Sequence, residues 1–408
     1  MRAFTSIGLI SCALAMGLQA HSQSAASLCD RLSRLGNIYD HPEASFIQRL
    51  DLYLAYMHQF GLVRGEDRFG SEVEHSAEEV RRFWFGGSGE FLKVFRFRAV
   101  SQVSNDRHNF PGGKREFGHE TFRSAYLSLR ADRAFDLPAF DSLSVGYGRR
   151  SGRMADEWQR SATHIHTLER SAFSNRLWLA DEERGNPLAV WTKARMGRST
   201  VDLALFSGTY SDWIGGWNDS RTYYASFERD FSESTGLETT DLWLSAYYQD
   251  LEMGQDRLAR GNETGFAWVA RFADGPWAFH ATVGFGDNGS QENPDQAGAF
   301  WGAVLMPMYW LVEDQQKLVF RYQYQSADEA EGIRLNNRYA RMAASADESL
   351  NLNSRRGDTH HNFYLGYNYY FCGDQLKLVS GIQWDELRSD GAVFYRGWTL
   401  GTSLRFLL

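Results

Sequence analysis

After its first twenty or so residues the chain has no apolar run approaching ~18 residues, so no later segment is a membrane helix and any insertion into a bilayer must be by strands. Proline is scarce at 7 residues, and cysteine scarcer still at 3. Cys12 lies in the leader described below. The remaining pair, Cys29 and Cys372, is too few for a disulfide scaffold and has no CxxC metal spacing. Lysine is nearly missing: Lys93, Lys114, Lys193, Lys317 and Lys377 are the only ones among 43 basic residues, and the rest are arginine. The formal charge is -8 with no basic stripe, which excludes nucleic-acid binding. His164 and His166, and the adjacent His360 and His361, lack the His-Glu-x-x-His, nucleophile-elbow or glycine-rich phosphate contexts that would make them catalytic or metal-binding. No enzyme activity, metal or cofactor is therefore expected.

What the chain does have is aromatic residues, at 15%, and 38 glycines, a composition of strand and turn formers. It opens with one arginine and the apolar stretch AFTSIGLISCALAMGL, followed by small residues with cleavage sites after Ala20, Ser22 or Ala26. This reads as an export signal over 1–26, with 27–408 as the mature protein. Period-two alternation then recurs sixteen times, at 46–62, 80–90, 94–102, 122–130, 140–149, 189–196, 200–207, 222–230, 240–248, 264–272, 277–285, 298–307, 316–325, 361–371, 375–384 and 396–406. In NFYLGYNYYF, for example, Phe363, Leu365, Tyr367, Tyr369 and Phe371 share one face, and Gly366 and Asn368 the other. The first segment also admits a helix.

The connections alternate in length. Short ones such as 91–93, 273–276 and 372–374 interleave with long ones at 63–79, 103–121, 150–188, 208–221, 249–263, 286–297, 326–360 and 385–395. An even number of alternating segments with turns short at one end and long at the other predicts an all-β fold, a 16-stranded antiparallel transmembrane β-barrel. Trp84, Tyr147, Trp243, Trp268, Trp277, Trp384 and Trp398 are expected in aromatic girdles. The closing GWTLGTSLRFLL is then a lipid-facing strand. Its Thr399, Gly401, Leu404 and Phe406 match the spacing of the signal read by the outer-membrane barrel-assembly machinery, although Leu407 and Leu408 follow the aromatic that usually ends it.

From about residue 80 onward the sequence resembles the phosphate-selective porins of the O and P type. The likeness rests on RRFWFGGSGEF, on LSVGYGRRSGRM followed by SATHIHTLERSAFSN with its Glu169–Arg170 pair, and on NYYFCGDQLKLVSGIQW. It implies a trimeric 16-stranded channel in the outer membrane of a Gram-negative bacterium, among lipid and lipopolysaccharide. Where that family usually has Lys-Pro-Phe-Gly, this chain has Arg149, Arg150, Ser151 and Gly152.

The segment 150–188 is the candidate constriction loop, carrying Arg150, Arg153, Arg160, Arg170, Arg176, Glu157 and Glu169, and rings of charge govern which ions enter a pore. Strand parity turns Arg98, Arg130, Arg195, Arg271 and Arg321 inward, with Arg150 at the loop's mouth, because charge on the lipid side costs ~2 to 4 kcal/mol at mid-depth. Asp202 and Glu228 are the inward acids that would pair with them. The expected function is passive diffusion of small hydrophilic solutes with a weak preference for anions. The competing reading is a non-conducting structural or adhesive barrel whose loops 150–188 and 326–360 bind partners outside. Cys29 and Cys372 fall on the same side of such a barrel, and bonding requires their Cα atoms within about 7 Å, a distance that sequence leaves open.

Overall fold

The computed structural model describes residues 22–104, 117–179, 185–207, 217, 221–250, 262–289, 291, 293–347, 349, 350, 352 and 356–408. Most of the expected leader, including the Ala20 site, lies outside these residues. The barrel strands are β1 Ile47–Asp67, β2 Glu72–Phe91, β3 Phe95–Ser104, β4 Thr121–Arg130, β5 Ser142–Arg149, β6 Leu188–Met196, β7 Ser199–Ser207 and β8 Arg221–Asp230. They continue as β9 Thr239–Asp250, β10 Thr264–Asp274, β11 Trp277–Asp287, β12 Ala299–Val312, β13 Gln316–Ala327, β14 Thr359–Tyr370, β15 Leu376–Ser389 and β16 Ala392–Leu407. Every strand pairs antiparallel with its chain neighbour, and β16 closes on β1 from Tyr395↔Asp67 to Leu407↔Ala55. Closure leaves no open sheet edge, as a strand-built membrane structure requires. The alternation decides the two faces. Leu365, Trp398 and Trp277 stand outward at 54%, 54% and 61% exposure, while Asn362, Asn368 and Tyr364 are buried within.

Three expectations are corrected. The first segment is a strand and runs on to Asp67, so 63–79 is no long loop: β1 and β2 stay paired up to Glu66↔Glu72. The turn between them is held by the Asp67 carboxylate, which accepts from the N–H groups of Phe69 (2.9 Å) and Ser71 (2.8 Å). Likewise 385–395 is mostly ladder, because Asp390 and Gly391 both take positive φ (51° and 74°) in a tight turn of the kind Asp-Gly favours. Finally, Trp84 and Trp243 point inward, 6% exposed each, and belong to no girdle.

Ahead of the barrel come a helix, Ser22–Leu35, and a short strand, Asn37–Asp40. That strand pairs with Arg49–Asp51 of β1, on the stretch below the end of β16. Cys29 and Cys372 form a disulfide with Cα atoms 5.1 Å apart, joining this N-terminal segment to the turn between β14 and β15.

Candidate functional site

Two loops fold into the barrel. The first, 150–188, leaves β5 and packs Phe173, Leu177 and Leu179 against Phe206, Tyr224, Tyr247 and Phe300 of the wall. A Cβ on Gly302 would stand 2.5 Å from the Phe173 ring, so only glycine allows this approach. Charged side chains of the wall hold the loop's polar backbone. Arg405 donates to the carbonyls of Ile165 (2.7 Å), Thr167 (2.7 Å) and Leu168 (2.9 Å). Arg321 donates to Glu157 Oε1 (2.8 Å), the Glu169 carbonyl (2.8 Å) and Asn362 Oδ1 (3.1 Å). Asp156 pairs with Arg271 (2.5 Å) and with His280 Nδ1 (2.9 Å).

The second loop, between β13 and β14, carries the helix Arg338–Ala346, capped by the Asn337 side chain, which accepts from the N–H of Ala340 at 3.0 Å. Asn337 also donates to Asp385 Oδ2 (2.7 Å) and Thr399 Oγ1 (2.8 Å), and Arg338 pairs with Glu79. The Tyr339 ring lies where a Cβ of Gly61 would be, at 2.0 Å.

Between the first loop and the wall of β1–β7 lies a chamber of about 450 Å³. Arg96, Arg98, Arg123, Arg150, Arg153, Arg160, Arg170 and Lys193 line it, and Asp202 is the only acid among the described lining residues. Asp202 is taken by Arg150 through two bonds, 3.1 and 2.6 Å. Several guanidiniums lie on aromatic faces: Arg98 over Tyr53 (4.6 Å), Arg123 over Trp84 (5.1 Å) and Arg170 over Trp158 (3.7 Å). Trp158 in turn stacks on Trp178 at 3.9 Å. An aromatic face orients a guanidinium without neutralising its charge and leaves its in-plane N–H groups to other acceptors. Burial chiefly, and after it the nearby Arg82, push the Arg170 guanidinium well below its ordinary range while Glu157 pulls the other way.

Arg170 also borders a gap of about 10 Å³ lined by Arg81, Arg82, Glu169, Arg338 and Arg341. Arg81 and Arg82 are consecutive, yet both are buried. The reason is a bulge: the register of β1 and β2 slips between Met57↔Arg82 and His58↔Val80. A bulge sets two residues against one, so the period of two breaks there.

The five arginines assigned by parity, and Arg150 at the loop's mouth, therefore occupy three situations. Arg98 and Arg150 line the chamber. Arg271 and Arg321 brace the first loop. Arg130 pairs with Asp132 at 2.6 Å beside the β4–β5 connection, and Arg195 is exposed near a turn, donating to the Gly197 carbonyl. Glu228 is half-buried on β8. The histidines singled out in the sequence are separated. His166 meets the Tyr370 hydroxyl at 3.4 Å, and His360 pairs with Asp385 at 3.0 Å. In the terminal strand Thr399 and Gly401 are buried and Leu404 faces outward, 43% exposed, so Thr399 serves the second loop as well.

No family model and no curated protein matches the chain. Solved structures do. OprB of Pseudomonas putida is 12% identical over 88% of this chain and 94% of its own, with a TM-score of 0.54. The outer membrane channel DcaP of Acinetobacter baumannii is 10% identical over 91% and 100%, with a TM-score of 0.53. An anion-selective porin from Comamonas acidovorans is 11% identical over 88% and 100%, with a TM-score of 0.51. At these identities the likeness is one of fold, that of the outer-membrane porins.

Proposed function

We propose that the chain, once its export signal is removed, forms a channel in the outer membrane of a Gram-negative bacterium for passive diffusion of small hydrophilic solutes, with anions preferred. The observation that carries this reading is the chamber, where eight basic side chains and one acid stand among the described lining residues, that acid being held by Arg150 while Arg96 pairs with Glu90. In a confined low-dielectric wall such local charge outweighs the net -8 of the whole protein. The same imbalance is built almost wholly from arginine, which supports a general anion filter over a phosphate-specific site. The rival reading, loops that bind partners outside, is weakened because both loops it relied on fold inward.

With its short turns in the periplasm, the barrel would hold the Cys29–Cys372 bond where thiols oxidise. The terminal strand would engage the assembly machinery, and lipid and lipopolysaccharide would cover the apolar exterior. A homotrimer suits one patch of that exterior. Glu78 and His58, 2.9 Å apart, face outward on β2 and β1 at the height of Phe60 and Leu404, where a protein neighbour serves a carboxylate better than hydrocarbon does.

Planar bilayers test the function. Purified protein is expected to give discrete conductance steps and, in a salt gradient, a reversal potential of the sign for anions, shrinking as ionic strength rises and screens the lumen. Absence of steps would favour the non-conducting barrel, and cation preference would reverse the assignment of the selective residues.

A further inference from the structure

The narrow gap beside the chamber is already occupied by an anion, and that anion belongs to the chain. Arg81 grips both oxygens of the Glu169 carboxylate, Nε to Oε1 at 2.5 Å and Nη2 to Oε2 at 3.0 Å. Gln59 Nε2 adds a bond to Oε1 at 3.1 Å. Arg82, Arg170, Arg338 and Arg341 border the same gap, and Glu169 is the only acid among its described lining residues. A two-point guanidinium fork is the strongest geometry for holding a carboxylate. The Arg81 side chain is 4% exposed and that of Glu169 is 23% exposed, so the Glu169 side chain is the more accessible of the two. The backbone of Glu169 is fixed separately, because its carbonyl accepts from Arg321 (2.8 Å) and from Thr167 Oγ1 (2.9 Å). Rotation of the Glu169 side chain therefore breaks this pair of bonds with the loop's backbone left in place.

We propose that Glu169 is a tethered carboxylate filling the channel's own anion site, and that solutes bearing a carboxylate pass by competing with it for Arg81. This deepens the anion-channel reading and rests on it. The intramolecular competitor lowers the apparent affinity for a free carboxylate by the fraction of time the site stands open. It thereby keeps the site weak enough for release.

The test is block of chloride current by added malonate and, separately, by inorganic phosphate, in the wild-type channel and in Glu169→Gln, Glu169→Asp and Asp202→Asn. Glu169→Gln is expected to lower the half-blocking malonate concentration roughly tenfold, the value for a site open about a tenth of the time. Glu169→Asp, one methylene shorter and still charged, should give an intermediate shift. Asp202→Asn makes the same charge change in the wide chamber and should move the value less than about twofold if field alone is altered. Block of Glu169→Gln no tighter than that of Asp202→Asn would overturn the proposal, and so would wild-type block in Glu169→Asp should the glutamine variant fail to fold. Tightening for phosphate but not malonate would overturn the ligand class. A wild-type channel that prefers cations would instead sink the anion-channel reading on which the proposal stands.

Discussion

Replacing Arg321 with methionine is expected to raise the single-channel conductance of the proposed channel, because it removes the side chain that braces the first loop at several points. The Arg321 guanidinium bonds to Glu157, to the Glu169 carbonyl, to Asn362 and to Gln383 Oε1 (3.2 Å). Its side chain and that of Glu157 are 1% and 2% exposed. Methionine fills much of the same volume but leaves Glu157 as a buried charge without this partner, a change that typically costs about 3 to 5 kcal/mol. The cost is relieved where Glu157 takes up a proton or the loop leaves its seat, and the second course widens the lumen. Conductance in bilayers and protease sensitivity of 150–188 should both increase. Adding Glu157→Gln to the variant should recover part of the loss, since no ionised group is then stranded, and a double-mutant cycle measures the coupling. Conductance unchanged from wild type would mean that Arg405 and the apolar contacts of Phe173 hold the loop without this pair. Parity alone would have foreseen only a loss of lumen charge from this substitution.

Breaking the Cys29–Cys372 bond is expected to have the largest effect on stability. The two residues are 343 apart, so the bridge closes a loop containing almost the whole barrel. In the chain-entropy description a loop of that length contributes about 5 to 6 kcal/mol through the unfolded state. Urea unfolding of the folded protein in detergent, oxidised against reduced, reads this directly, with a Cys29→Ser/Cys372→Ser variant as the control that reductant must leave unchanged. A midpoint shift near zero would mean that the N-terminal helix is held by its strand pairing to β1 alone, or that native strain cancels the entropic gain. The bond also ties the β14–β15 turn, on the far side of β16, to a segment paired with β1, and so staples the seam where the barrel closes.

Several features of the candidate site follow directly from period and composition. Arg98 reaches the chamber because a side chain of the wrong parity would face lipid, and the loop after β5 enters the barrel carrying Arg150 and the other charges its sequence shows. Arg81 and Arg82 were quoted as a motif yet not assigned to the lumen, because a strict period of two puts one of them outside. The bulge that admits both is a property of the β1–β2 pairing and has only that Arg-Arg interruption as a local sign. The tight turn at Asp390–Gly391 did carry a local signal, the Asp-Gly pair, hidden inside a stretch polar enough to pass for a loop.

A side chain's choice between lipid and lumen is made locally, residue by residue, by the pleat. For that reason the number of strands, their order and most of their boundaries, together with the apolar exterior, were already determined by the alternation. Which charges remain available to a solute was not, since that depends on partners distant in the chain. Arg321 meets Glu157 across 164 positions, Arg338 meets Glu79 across 259, and Arg81 meets Glu169 across 88. Only closure of the barrel and the folding of two loops into it bring those groups within hydrogen-bond distance. Tertiary structure thus decided that some arginines brace a loop, others line the chamber, and one holds a carboxylate of the chain itself.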